Sequence, residues 1–176
     1  MNFKKQLVTI MAEAATACSN LRGQSTCRTL NHKELGQADL VLVQEALAVD
    51  LKLQAWCHSL PPEWSPVSTN SINIDNRSSW SGKLLASSGA PEYATRYSNR
   101  LAAFDWNACR ASQVLLHLEI LSFVSKLSSP TLDLDAIKSH SLDVLVTLTA
   151  EIASSVPYAL NISPDGSSDL ASPGQV

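Results

Sequence analysis

The chain has 176 residues, 45% of them hydrophobic and only 16% charged, with a formal net charge of −3. That length is enough for one domain with a real core. Charge below the quarter or so usual in globular chains points to surface covered by another domain or a partner. The acidic balance argues against sequence-independent nucleic-acid binding, which relies on clustered Lys and Arg; Lys4-Lys5 reads as the solvated first turn of a helix. Six glycines and few aromatic residues favour helices over a sandwich or barrel.

Residues 2–21 read as a first helix. A basic start followed by apolar residues has the outline of a signal peptide. Glu13 interrupts the apolar part, however, and Leu7, Ile10, Met11 and Ala14 recur at helical spacing, which is the pattern of an amphipathic helix. Arg22-Gly23 is expected to end it, with glycine taking the left-handed turn. Residues 24–36 form a polar link.

Residues 37–59 read as a second helix with one apolar stripe at three- and four-residue steps: Leu40, Val43, Leu47, Leu51 and the Ala55/Trp56 pair. Asp39 suits its first turn, and Pro61-Pro62 stops it. The character then changes over 65–96. Eight serines fall between Ser65 and Ser88, with Asn70, Asn73 and Asn76 among them. This stretch is expected to be a flexible loop, tacked to the core by Ile72, Ile74, Trp80, Leu84 and Leu85.

Residues 97–128 give the strongest helical pattern. Leu101, Phe104, Ala108, Ala111, Leu115, Leu118 and the Leu121/Val124 pair form the expected core stripe of a central helix. The Val114–Val124 run contains His117 and Glu119 and is too short for a bilayer, which takes roughly 20 apolar residues. Ser128-Ser129-Pro130 closes this helix. A last helix spans 133–156, with Asp133 and Asp135 at its favourable end, a stripe of Ile137, Leu142, Leu145, Leu148 and Ile152, and Pro157 as its stop. The expected organisation is one helical domain over 1–162 and a disordered Ser/Pro/Gly tail over 163–176. The fold class is all-α: an irregular bundle of about four long helices with a Ser/Asn-rich loop between the second and third.

The residues offer little chemistry. Cys18, Cys27, Cys57 and Cys109 are scattered, unlike a disulfide scaffold or paired zinc ligands, and His32 does not complete a site with Cys18 and Cys27. Cys57 and His58 are adjacent, which places them about 100° apart on a helix and does not make a dyad. Cys109 reads as a small buried hydrophobe. His117 and His140 read as surface or partly buried helix residues rather than ligands. No phosphate loop, nucleophile elbow or paired-histidine motif occurs, so the chain is read as a non-enzyme with no catalytic residue, metal or cofactor. A polar set remains inside the third helix: Asp105, Asn107 and Arg110, beside Trp106. Asn107 and Arg110 share a face, and a buried guanidinium needs partners, so the set reads as a clamp between helices more than as a contact site.

Four pieces in order carry a resemblance. They are Asp50-Leu51-x-Leu53-x-Ala55-Trp56 with Ser59-Leu60-Pro61-Pro62-Glu63-Trp64; Tyr97; Trp106-Asn107-x-x-Arg110-Ala111-x-x-Val114-Leu115-Leu116-His117; and Glu151-Ile152-Ala153-Ser154-Ser155-Val156-Pro157-Tyr158. Together they resemble the fungus-specific transcription factor regulatory domain, which lies C-terminal to a binuclear zinc-cluster DNA-binding domain. Ala108-Cys109 departs from it where the family carries an aromatic residue, and the zinc-cluster cysteines are absent. The resemblance implies an all-α nuclear module (cytoplasmic in the alternative) that regulates transcription through a protein partner, either a full-length factor or a second copy, with a small-molecule effector as a further mode. The absent cysteines argue against direct DNA binding by this chain, and the shortness of its apolar runs argues against membrane association. Trp56, Trp64, Tyr97, Trp106, Asn107, Arg110, Pro157 and Tyr158 are its signature residues, with structural roles. Two other readings stand beside it. One is a small-molecule binding protein with a pocket between the 97–128 and 133–156 helices, walled by Trp106 and Arg110. The other is a fragment of a larger zinc-cluster factor. An enzyme working through Asp105 and His117 is the weakest reading.

Overall fold

A computed structural model describes residues 2–29, 37–70, 87–88, 90–91, 93–127 and 132–160. Four long helices dominate: α1 (Phe3–Thr29), α2 (Gln37–Ser59), α3 (Arg100–Val124) and α4 (Leu132–Ala159). A short 3-10 helix (Pro62–Trp64) and two strands, β1 (Val67–Asn70) and β2 (Tyr93–Arg96), lie between α2 and α3. The fold class is all-α, as expected. Two compact units are present: Met1–Leu60 with Asp105–Thr149, and Pro61–Phe104 with Ala150–Val176. The middle of the Ser/Asn-rich stretch and the tail over 163–176 lie outside the described residues.

In the first unit the helices form an irregular bundle. Leu7, Ile10, Ala14, Cys18 and Leu21 are the buried stripe of α1, the periodicity its sequence shows. α1 packs on α2 in antiparallel fashion, since Trp56 Nε1 donates to the Phe3 carbonyl at 2.9 Å and Lys52 Nζ reaches Glu13 Oε2 at 2.6 Å. The first helix does not end at Gly23; it runs to Thr29. Leu21 and Ser25, one turn apart, are both buried. Lys126 Nζ donates to Ser25 Oγ at 2.6 Å, and Arg22 pairs with Glu119 at 2.6 Å. These contacts with α3 and the turn after it hold the last turns in place, so glycine's weak helix propensity is overridden.

α2 has the expected bounds and only part of the expected face: of the expected stripe Val43 and Trp56 are buried. Val43, Ala46, Val49, Leu53 and Trp56 are buried, while Leu51 is 64% exposed and Ala55 also faces outward. α3 departs further. Its buried residues are Ala102, Ala103, Cys109, Leu116, Ile120, Phe123 and Val124 together with the polar Asp105, Arg110, Gln113 and His117. Much of the expected core stripe points outward instead: Leu101 is 46% exposed, Phe104 68%, Leu115 55% and Leu118 48%, while Val124, its last member, is buried as expected. On α4 the expected stripe is only partly buried: Leu148 is buried, but Leu142 is exposed. On α2 and α3 the polar residues help to set the buried face: Asp50, Gln113 and His117 meet one another inside the first unit.

The second unit contains structure where the sequence suggests only loop. β1 and β2 pair antiparallel, with Val67 opposite Arg96 and Asn70 opposite Tyr93. Ala94 and Thr95 are buried, and Thr95 Oγ1 lies 2.7 Å from Ser154 Oγ on α4. α3 opens at Arg100 rather than at residue 97, because Asn99 caps it: Asn99 Oδ1 accepts from the Ala102 N–H at 2.9 Å. Pro157 does not stop α4, which extends to Ala159. Proline removes one donor, toward the Ala153 carbonyl, but Leu160 N–H still reaches the Val156 carbonyl at 3.0 Å. Asp133 and Asp135 do sit in the first turn of α4.

Candidate functional site

The signature residues separate into two groups. In the first unit, Trp106 meets Trp56 edge to face with ring centroids 6.3 Å apart. Arg110, itself buried, places its guanidinium carbon 5.2 Å from the centre of the Trp106 ring and donates to Asn107 Oδ1 at 3.3 Å. This is a cation–π and hydrogen-bond clamp on one face of α3. Asp105 is buried near Lys4, and burial pushes its carboxyl above the usual range while Lys4 pulls it down. In the second unit, Tyr97 meets Tyr158 edge to face at 5.4 Å beside the buried Pro157, and Trp64 is half-buried in the 3-10 helix.

A third group lies in the first unit, and sequence reasoning did not bring its members together. Asp50 of α2 is buried beneath α3 and α4. Its Oδ1 accepts from Gln113 Nε2 at 2.7 Å, and its Oδ2 accepts from Gln54 Nε2 at 2.6 Å. His117, fully buried, brings Nε2 to 3.4 Å from Asp50 Oδ2, an ion-pair distance but outside hydrogen-bond geometry. The other ring nitrogen, Nδ1, lies 3.1 Å from Ser141 Oγ on α4. His140 is exposed, with its ring 5.7 Å from that of His117. Burial works against the charge on Asp50. The interactions with His117, Gln113 and Gln54 outweigh it and hold the carboxyl below the usual carboxylate range.

The order Asp50, His117, Ser141 imitates a hydrolase triad, but the geometry does not serve one. Ser141 has no exposed surface, so its hydroxyl meets no substrate, and the carboxylate approaches a nitrogen that has no hydrogen bond to it. Cys57 does not pair with His58 either. His58 Nδ1 faces the Gln54 carbonyl at 2.7 Å, while Cys57 Sγ lies 3.6 Å from Cys109 Sγ. The contact with Cys57 and burial push the Cys109 thiol far up, which keeps it protonated as an inert core residue.

His117 is wholly buried, not at or near the surface as its sequence context suggests. The signal that marks this cluster is the phase of its polar residues. Asp50/Gln54 and Gln113/His117 are i,i+4 pairs, and Asp50, Gln113 and His117 fall on the buried faces of otherwise apolar helices. An open groove of about 630 Å³ lies along α1 and α2, with Lys5, Gln6, Ile10 and Lys52 among its walls. No helix of the described residues is long and apolar enough to cross a membrane. No protein-family model, curated protein or solved structure matches the chain.

Proposed function

We propose that the chain is a helical regulatory module of the transcription-regulator kind, acting in the nucleus through contact with another protein. The observation that carries the reading is the outward face of α3. Within the first unit, Ala111, Leu115 and Leu118 occupy successive turns of that face, with Leu115 and Leu118 about half exposed. Aliphatic side chains in such a row gain about 25 cal/mol per Å² when covered, and a partner helix laid along them supplies that cover. Ala111 and Leu115 belong to the third motif piece and Leu118 follows it directly, which ties the stripe to the four-piece resemblance. That resemblance supports the choice of a transcription regulator over other partner-binding roles.

The test combines light scattering with affinity capture. Wild-type protein is expected to self-associate or to retain a zinc-cluster regulator from a fungal nuclear extract. Leu115→Asp/Leu118→Asp is expected to abolish either association at an unchanged melting temperature. A wild-type monomer that retains no regulator overturns the proposal. A small-molecule effector has a place in the α1–α2 groove, whose volume suits a metabolite; ligand-induced thermal stabilisation that is lost in Lys52→Ala would identify it.

A further inference from the structure

We propose that Asp50, His117 and His140 form a binding site for a divalent transition-metal ion, with zinc the natural occupant. One carboxylate oxygen and one nitrogen from each imidazole lie within 4.8 Å of one another. A tetrahedral ion with bonds near 2.0–2.1 Å requires ligand atoms about 3.3 Å apart. Asp50 Oδ2 and His117 Nε2, at 3.4 Å, already stand at that spacing. His140 is exposed and on a different helix, free on its solvent side to swing the remaining distance inward.

The second observation is independent of the spacing. His117 Nε2 is completely buried, faces this cluster and has no hydrogen-bond partner. A buried polar atom left unsatisfied costs about 1–3 kcal/mol. Direct coordination removes that cost, because a neutral imidazole presents a lone pair to a metal. With the proton on Nδ1 donated to Ser141 Oγ, at 3.1 Å, Nε2 is left as the ligand atom. Gln54 and Gln113 fix the carboxylate through its two oxygens, the outer-shell support that ligating carboxylates usually have.

The donor set selects the ion. Two imidazoles and one carboxylate suit zinc, iron(II), cobalt, nickel or copper. Magnesium and calcium prefer shells made of oxygen. Three protein ligands leave a fourth position, which the exposed side at His140 opens to water, as in zinc sites that keep an exchangeable ligand. The site is independent of partner binding through α3.

The experiment uses the full chain, stripped with EDTA and titrated with zinc chloride by calorimetry, then with cobalt chloride by visible absorption. One zinc per chain is expected, with the intense visible bands of four-coordinate cobalt and no response to magnesium. His140→Ala removes an exposed ligand and leaves the core intact; it is expected to weaken zinc at least about tenfold, the minimum seen even for outer-shell changes. Cys57→Ser is the control for a thiolate site at the Cys57–Cys109 pair and is expected to bind as wild type does. Absence of zinc binding by folded protein overturns the proposal. So does binding that survives His140→Ala or disappears with Cys57→Ser.

Discussion

The guanidinium of Arg110 lies over the ring of Trp106, 5.2 Å from its centre, with the arginine almost entirely buried. A buried charge is tolerated only where its environment replaces water, and here an aromatic face and the Asn107 oxygen do part of that. Arg110→Ala removes the stacking, worth about 0.5–2 kcal/mol, together with packing. The expected loss is about 1–3 kcal/mol, or roughly 2–10 °C of melting temperature for a chain of this size. Arg110→Lys should fall between, since an ammonium cannot stack as a planar group. An unchanged melting temperature with loss of partner binding would move Arg110 from a structural role to the contact surface.

Gly23 tests the continuation of α1. It lies inside the helix, and nothing stands within 4 Å of where a Cβ would be. Gly23→Ala should therefore stabilise the protein by about 0.5–1 kcal/mol, read as a higher denaturant midpoint at constant slope. A helix that ended there in a left-handed turn would be destabilised by the same change.

Gln113 and Gln54 both donate to Asp50, but Gln113 is buried and Gln54 half-buried. A hydrogen bond to a charged group contributes about 1.5–3 kcal/mol. Water can replace Gln54 more easily than Gln113. Chemical denaturation should therefore show Gln113→Ala costing about 2 kcal/mol and Gln54→Ala clearly less; equal losses would mean that water reaches Asp50 from both sides.

Asp105 predicts a dependence on pH. Its native pKa is raised by burial, against the pull of Lys4, so folding favours the protonated form. That contribution is complete below the unfolded value, near pH 3.9, and is lost as pH rises through the native value. Asp105→Asn never ionises. Its melting temperature should gain on wild type progressively as pH increases from about 4; parallel profiles would show that Asp105 titrates as it does in the unfolded chain.

The four helices are legible because their periods are long and their stops strong: Pro61-Pro62 does end α2 at Ser59. Gly23 and Pro157 are weaker stops, and tertiary contacts carried α1 and α4 past them. Which face each helix buries was much less legible. The period of α3 fits two stripes half a turn apart, one aliphatic and one mixed. Choosing between them requires knowing that Asp50 waits on α2 to receive Gln113 and approach His117. The candidate site was hidden for the same reason, since its residues come from three helices and each looks ordinary alone. β1 and β2 were missed because Val67–Asn70 and Tyr93–Arg96 are short and pair across a long separation.

The two stripes of α3 have an energetic consequence. A helix that is apolar on its outer face has a rival arrangement in which it rolls about its axis and buries Leu115 and Leu118 instead. Hydrophobic contact alone discriminates poorly between these orientations. The polar residues do, because rolling the helix would strip Asp50 of Gln113 and leave its carboxylate stranded in the interior at a cost of several kcal/mol. The buried cluster thus works as a key as well as a possible ligand set: it adds little net stability, but it makes the wrong orientation of an ambiguous helix expensive and so helps to give the chain one native state.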